Sequence, residues 1–239
     1  MDKVTHESPP VIRIAALAIC LGVGALLARA VLAIPETEPG LAPLVAANLE
    51  ASGVKNAVTA VLLNFRGYDT LLEIAVLMLA TIGVLSLNST RSGTWDPITA
   101  KADPVLSAMS RFLAPIMVLT SGYLLWAGEH APGGAFQAGS IIGAAGVLLA
   151  LSGHARPAWI GHFALRAAIS VGFIVFLAVA IGEMLVGGLL LEYPAHLTKT
   201  LMLLVETWLT VSIGAILISL FIASASPAEE LRKRSGGDR

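Results

Sequence analysis

Three glutamates stand inside long apolar stretches of this chain, and they are the residues best placed to do chemistry. They are Glu73, Glu183 and Glu206. A charged side chain at the centre of a bilayer costs at least about 2.5–3.5 kcal/mol on insertion scales, so such a carboxylate usually faces protein or water. A carboxylate in that position can hold and release a proton or a small cation. We therefore treat the three glutamates as candidates for an ion path.

Each of these glutamates also has a structural interpretation. Glu73 lies about one turn inside its predicted helix, where the helix dipole stabilises a carboxylate. Glu183 lies near the outer end of its predicted span, where an interfacial carboxylate costs little, and there we favour the structural interpretation. Glu206 lies about two turns into the last predicted span, where it could pair with Lys199 or with a partner chain.

A turn rich in proline and glycine separates two apolar helices in the middle of the chain. The proline cannot continue a helix, and the glycines permit backbone angles that other residues resist. A small-xxx-small pair in the next helix lets helices approach closely in lipid. The glycines could also bind an anion at the helix N-terminus, although packing is the use we favour. The residues of this structural motif are Pro132, Gly133, Gly134, Phe136, Gln137 and Gly139.

The composition indicates a polytopic membrane protein. The chain has 239 residues, of which 56% are hydrophobic and 13% are charged, whereas soluble domains average roughly a quarter charged residues. The one cysteine, Cys20, cannot form an intramolecular disulfide, and the five histidines are scattered. We expect no metal site, no cofactor and no nucleic-acid partner.

The apolar runs predict an all-α membrane bundle of about six transmembrane helices, plus one amphipathic helix on the outer surface. The amphipathic helix is predicted at residues 54–63, because polar residues interleave with apolar ones there. Three regions result: residues 1–103, a four-helix domain at 104–224 and a charged cytoplasmic tail at 225–239. The spans are predicted at residues 11–34, 70–87, 108–127, 136–152, 162–185 and 201–223.

The basic residues predict the orientation. Six spans place both termini on one side, and eleven of the fifteen lysines and arginines fall on that side. Because cytoplasmic segments carry the excess of basic residues, both termini are predicted to be cytoplasmic. The first span has a second interpretation as a cleaved signal peptide, with Lys3 and Arg13 as the basic lead and a small-residue site ending at Ala33. That alternative leaves the downstream orientation unchanged.

Two stretches resemble subunits of the Mrp-type multisubunit Na⁺/H⁺ antiporters. The turn from Gly128 to Gly139 resembles the signature of the MrpB (MnhB) family, roughly G-H-x-x-P-G-G-G-F-Q-x-G. The stretch from Lys55 to Glu73 resembles the C-terminal end of the large MrpA subunit, roughly N-x-V-N…D-F-R-G-F-D-T-x-G-E. The chain thus resembles an MrpB subunit fused to an MrpA tail.

The resemblance implies a small, non-enzymatic membrane subunit of a cation/proton antiporter, in which the proton gradient drives Na⁺/H⁺ exchange. It implies contributions to the ion path and to assembly. The implied partners are the other subunits of the complex, including a large antiporter-like subunit, together with the lipid bilayer, Na⁺ and H⁺. The implied location is the bacterial inner (cytoplasmic) membrane, which the chain crosses several times.

The resemblance also assigns roles to particular residues. Glu73 matches the acidic residue of the MrpA tail that the family implicates in ion transfer, and Phe136 and Gln137 match a structural part of the MrpB signature. Asn64 stands where the family usually has Asp, so that position lacks its carboxylate here. Leu72, Glu129 and Ala135 also depart from the family patterns. The remaining structural residues of the MrpA-like motif are Arg66, Gly67 and Asp69, and the first and last of these could pair across a turn.

Two alternatives stay open at this stage. The chain could be a purely structural adaptor that docks larger subunits and seals gaps in the lipid. It could also serve in the membrane arm of a redox-driven complex, such as a membrane-bound hydrogenase or another relative of complex I. In that case any redox centre would belong to a partner.

Overall fold

The described part of the chain is helical, with no strand, and the fold class is as predicted. The computed structural model describes residues 10–33, 40–89, 103–153, 162–185, 188, 190–194 and 196–236. A 3₁₀ turn occupies Glu50–Ser52 and a π-helical turn occupies Val61–Phe65. The α-helices are α1 (Pro10–Leu32), α2 (Ala42–Asn48), α3 (Ala57–Ala60), α4 (Gly67–Ser89), α5 (Pro104–Ala127), α6 (Ala135–Leu151), α7 (His162–Leu185) and α8 (Thr198–Gly236).

The chain is a multi-pass membrane protein. Within the described residues, five helices are long and apolar enough to cross a membrane, and α6 is a shorter apolar helix of 17 residues. At 1.5 Å per residue α6 spans about 25 Å, which is close to the lower limit for a hydrocarbon core of about 30 Å. The five candidate spans are Ile14–Leu32, Gly67–Leu87, Pro104–Ala127, Phe163–Leu185 and Thr198–Ala223.

The chain divides into two compact units, Met1–Pro43 and Leu44–Arg239. The first unit contains α1, a continuous helix of 23 residues. The second unit contains a hydrophobic core to which α4, α7 and α8 all contribute. The largest fully buried side chains of that core are Phe176, Ile74, Met202 and Leu209.

The helix predicted at residues 54–63 is present, although it begins at Ala57 and is not a regular α-helix throughout. A single α-helical turn, α3, is followed directly by the π-helical turn. Val54, Ala60 and Leu63 are buried in the core of the second unit, so this chain itself covers the apolar side of the segment. The apolar and polar residues interleave because one side of this helical segment packs on the bundle and the other side is exposed.

Helices α6 and α8 approach each other closely at glycines, as the small-xxx-small pattern predicts. A Cβ atom on Gly139 would lie 2.7 Å from the Cβ of Ile213, and one on Gly143 would lie 2.9 Å from the Cβ of Leu217. Real Cβ atoms do not approach so closely, so only glycine permits this contact. The hydroxyl of Ser121 on α5 donates to the Ala138 carbonyl at 2.8 Å and ties α5 to the same helix.

The last helix is longer than predicted. Helix α8 continues from the membrane span to Gly236, so most of the stretch predicted as a charged tail is helical. The polar N-terminus predicted at residues 1–10 and the loops predicted at 88–103 and 153–161 lie largely outside the described residues.

Candidate functional site

The carboxylate of Glu206 lies against the start of α6. Its side chain is buried in α8, with 7% of the residue exposed. The backbone N–H of Ala135, the first residue of α6, donates a hydrogen bond to it. Because the first N–H groups of a helix have no partner within the helix, they form a natural site for an anion. The anion that this helix terminus binds is therefore a side chain of the same protein.

The glycine before that helix explains how the carboxylate comes so close. Gly134 has a φ of +102°, which strongly favours glycine, and it precedes Ala135 as the N-cap. A Cβ atom on Gly134 would lie 2.7 Å from Oε1 of Glu206. The backbone angle therefore requires glycine, and the absence of a Cβ atom leaves the space that the carboxylate occupies.

A second buried carboxylate and a buried phenol belong to the same region. Glu183, near the end of α7, and Tyr193, in the segment between α7 and α8, are each 8% exposed. The charges of Glu183 and Glu206 both act on the Tyr193 phenol. Burial first, and these two carboxylates next, raise the pKa of the Tyr193 hydroxyl above its ordinary value. We refer to Glu183, Tyr193 and Glu206 as the interior site.

The interior site corrects one expectation and adds a residue. Glu183 lies near the end of its helix as predicted, but the interpretation as an interfacial carboxylate does not fit its burial, because the chain after α7 folds back over the end of the helix. Leu191 and Tyr193 of that segment are both buried in the core. Tyr193 was missed because its environment depends on this return of the chain. The available signal was a single tyrosine between two glutamate-bearing spans.

The Pro-Gly-Gly turn is held from one side by the segment that contains α3. The backbone N–H groups of Lys55 and Asn56 donate to the Glu129 carbonyl at 3.1 and 3.0 Å. The Asn56 side chain donates to the carbonyls of Gly128 and Ala131 at 3.1 and 2.7 Å. Thr59 donates to the Gly128 carbonyl at 2.6 Å. The MrpA-like stretch and the MrpB-like turn thus bind each other directly.

An ion pair holds the same turn to the start of α8. Nζ of Lys199 lies 2.6 Å from Oε1 of Glu129. The Lys199 hydrogen bond, aided by the charges of Lys199, His130 and Lys55, lowers the pKa of Glu129 against the opposing effect of burial. Lys199 therefore pairs with Glu129, and not with Glu206, for which it was one of the two partners considered from the sequence.

Glu73 occupies the opposite kind of environment. It is exposed on the outer surface of α4. Leu72 and Val76 on the same helix are 63% and 64% exposed, so apolar side chains surround it. The structure does not bring Glu73 together with the interior site. In a membrane this surface faces either lipid or a neighbouring protein chain.

The remaining predicted motif residues lie outside the interior site. Arg66 and Asp69 form the predicted ion pair across the turn before α4. Gly67 is buried, and a Cβ atom there would lie 2.9 Å from Cδ1 of Leu191. Phe136 packs against the core, whereas Gln137 is exposed on α6.

The interior site offers oxygen atoms and no soft ligands. The described residues contain no group of three or more histidine, cysteine, aspartate or glutamate side chains that could hold a metal ion. Two carboxylates and a phenol can bind a proton, a hydronium ion or a small hard cation. The site is thus suited to binding and releasing such ions.

Comparisons with known proteins place the fold. The chain is 29% identical over 153 residues to an uncharacterized protein of Methanocaldococcus jannaschii, and the match covers 56% of this chain and 58% of that protein. A chain of the Mrp complex from Dietzia sp. DQ12-45-1b superposes with a TM-score of 0.68 at 23% identity, covering 93% of this chain and 27% of that chain. A chain of the membrane-bound sulfane sulfur reductase, an archaeal respiratory membrane complex, superposes with a TM-score of 0.66 at 23% identity. That match covers 90% of this chain and 98% of the other.

Two family models match consecutive parts of the sequence. Residues 11–100 match the MbhE model, which describes one of the MBH subunits. Residues 105–226, slightly more than half of the chain, match the domain related to the MnhB subunit of Na⁺/H⁺ antiporters. This second match covers α5 to α7 and most of α8, and it includes Glu183, Tyr193 and Glu206. The chain therefore belongs to the family of domains related to the MnhB subunit of Na⁺/H⁺ antiporters.

Proposed function

We propose that the chain is a small membrane subunit of a multisubunit cation/proton antiporter, and that it contributes both to the ion path and to assembly. The observation that carries this proposal is the buried carboxylate of Glu206, which sits inside the MnhB-related region on the N-terminus of α6. Ionisable groups within membrane spans are costly and generally mark ion pathways. Gly134 leaves space for the Glu206 carboxylate, which supports a functional role for this residue.

Glu73 supplies a second ion-path candidate, at the surface of the chain. Glu73 lies within the membrane-spanning part of α4, where a charge that faced lipid would be unfavourable, so a partner subunit covers this surface in the assembled complex. A large antiporter-like subunit is the partner we propose, with Na⁺ and H⁺ as the transported ions. The exposed apolar side chains beside Glu73 provide the contact area for such a neighbour.

We place the protein in the bacterial inner membrane with both termini in the cytoplasm. The excess of basic residues on the terminal side supports this orientation. The Pro-Gly-Gly turn and the interior site then lie toward the outer side. We assign the chain a role in transport and not in catalysis, because the chemistry its buried groups offer is the binding of small cations.

The test is affinity purification of the tagged chain in mild detergent, followed by mass spectrometry and by Na⁺/H⁺ exchange measurements on the reconstituted complex. We expect large antiporter-like subunits to co-purify, and we expect the complex to exchange Na⁺ for protons. A complex that contains such subunits and shows no cation-dependent proton movement would contradict the proposal.

A redox-driven complex is the second candidate, because two observations favour it. Residues 11–100 match the MbhE model, and the sulfane sulfur reductase chain is covered over 98% of its length. The same purification separates the candidates. Iron–sulfur or hydrogenase-like subunits in the purified complex would establish a redox-driven pump in place of the antiporter.

A further inference from the structure

The hydroxyl of Tyr193 is buried without a partner. Its oxygen is inaccessible to solvent and makes no hydrogen bond to any residue that the structure describes. A buried hydroxyl without a hydrogen bond costs about 1–3 kcal/mol by mutational measures, so such groups usually have a partner in the working protein. The nearby charged groups are the carboxylates of Glu183 and Glu206, from two different helices.

We propose that Glu183, Tyr193 and Glu206 form a buried, oxygen-lined site that binds one small monovalent cation, either sodium or hydronium. The inference rests on the proposed transport function and deepens it by naming the ligand of the interior site. It differs from a path through Glu73, because the three groups lie in the interior and Glu73 lies on the outer surface of α4.

Charge balance explains why the ligand is a cation. Two carboxylates are buried here, and the lysine at the start of α8 is already engaged by Glu129. One backbone N–H, that of Ala135, reaches Glu206. Burying uncompensated negative charge is very costly, so a proton or a small cation must balance it. Carboxylate and hydroxyl oxygens are the ligands that hard cations prefer.

The phenol contributes a neutral oxygen to the site. Because burial and the two carboxylates raise the pKa of Tyr193, the hydroxyl keeps its proton at physiological pH. It can then donate to a carboxylate while its lone pairs accept from hydronium or coordinate sodium. The charged groups facing the phenol are Glu183 from α7 and Glu206 from α8. The apolar core residues that α4 and the preceding segment contribute are Leu71, Ile74, Val54 and Leu63, and the polar side chains that these elements bury, such as those of Ser52 and Thr70, are uncharged.

The experiment uses the whole complex in proteoliposomes and measures the sodium concentration that gives half-maximal exchange over a range of pH. Tyr193→Phe removes the hydroxyl and keeps the ring. We expect the half-saturating sodium concentration, or the proton concentration that competes with it, to rise about tenfold, as the loss of a hydrogen bond to a charged group implies. Tyr123→Phe is the matched control, because Tyr123 is 62% exposed on α5.

Infrared difference spectra of the purified complex distinguish sodium from a proton as the ligand. They also provide a second readout if one of the variants fails to assemble. A carboxyl band that responds to sodium at constant pH, and is lost in Glu206→Gln, indicates sodium as the ligand. A band that responds to pH alone, and is lost in the same variant, indicates that the positive charge at the site is a proton and not sodium. Glu183→Gln keeps the test usable if Tyr193→Phe fails to assemble, since it must alter the same band.

Two results would overturn the site. One is unchanged sodium and proton dependence in an assembled Tyr193→Phe complex, and the other is an unchanged carboxyl band in both glutamine variants. Either result, with exchange intact in the unmodified complex, would leave the proposed transport function standing. Absence of exchange in the unmodified complex would instead refute that function, whatever the spectra show.

Discussion

Glu73 and Glu206 are both glutamates in membrane-spanning helices, but Glu206 is buried and Glu73 is exposed. The chain completes the environment of Glu206 with a helix N-terminus, a glycine cradle and a buried phenol nearby. It leaves Glu73 on an apolar surface of α4. The comparison teaches that this chain alone supplies the surroundings of the Glu206 carboxylate, whereas the surroundings of Glu73 depend on what docks against α4.

The sharpest test of this comparison replaces each glutamate in turn. We expect Glu73→Gln and Glu206→Gln each to lower the Na⁺/H⁺ exchange rate of an assembled complex at least about tenfold, because each removes an ionisable group from a membrane span. Exchange in proteoliposomes is the measurement. Intact exchange in Glu73→Gln would remove the exterior carboxylate from the path and leave the interior site alone.

Substitution with alanine should lower the free energy of unfolding at Glu206 more than at Glu73. Glu206→Ala leaves the Ala135 N–H without its acceptor, so we expect the free energy of unfolding to fall by about 1–3 kcal/mol. Glu73→Ala is an exposed change and should stay within about 0.5 kcal/mol in the detergent-solubilised chain. Thermal unfolding followed by circular dichroism measures both. Equal losses at the two positions would show that Glu73 has an internal partner after all.

Leu191, in the segment between α7 and α8, should be destabilised less by substitution with glycine than by substitution with alanine. Leu191 has a φ of +64° and is 4% exposed, so its burial maintains a left-handed backbone. Leu191→Ala should lower stability by about 2–5 kcal/mol. Leu191→Gly should cost about 1 kcal/mol less than the alanine change, because glycine relieves the backbone strain.

Leu209 in α8 provides the control for that order. It is fully buried in a regular helix, where glycine is worse than alanine by about 1 kcal/mol. The same unfolding measurement applied to Leu209→Ala and Leu209→Gly should therefore give the reverse ranking. The same ranking at both positions would argue against strain at Leu191.

Matched glycine changes compare the packed interior with the exterior of α4. Gly139→Ala forces a Cβ atom against Ile213 and should destabilise the chain by about 1–3 kcal/mol. Gly83→Ala meets no atom within 4 Å and should be neutral or slightly stabilising. Thermal midpoints of the two variants provide the measurement. Destabilisation at Gly83 would mean that α4 is packed as tightly as α6.

The smallest effect on stability is expected at the ion pair between Glu129 in the Pro-Gly-Gly turn and Lys199 at the start of α8. The pKa of Glu129 is lowered in the folded protein, so the pair stabilises the fold fully above the ordinary value of 4.5 and loses this effect as pH falls through the lowered pKa. Because 61% of the lysine side chain is exposed, the gain is about 0.2–1 kcal/mol and weakens with salt. Lys199→Met should abolish this component of the pH dependence, measured as unfolding free energy between pH 7 and pH 3. An unchanged pH profile in that variant would show that the pair does not stabilise the turn.

Hydropathy and local spacing were enough to predict the helices and the nearest contacts. Long apolar runs predicted the spans because only a buried or membrane-embedded helix needs them. The Arg66–Asp69 pair and the glycine contacts of α6 also followed from local spacing. Interactions between distant segments did not: nothing near Lys199 in sequence indicates Glu129 as its partner, and nothing near Glu183 indicates that Tyr193 returns over it. The amphipathic pattern at residues 54–63 predicted a helical segment but not that this chain's own core would cover its apolar side.

The core shared by α4, α7 and α8 has a consequence for how the protein is supplied to its complex. Residues matched by the MbhE model and residues matched by the MnhB-related model line the same interior, and hydrogen bonds from Asn56 and Thr59 join the two parts. Either part made alone would expose apolar surface and orphaned carbonyl groups. Encoding both on one polypeptide fixes their stoichiometry at one to one, so translation itself guarantees that every copy of one part is made with its counterpart.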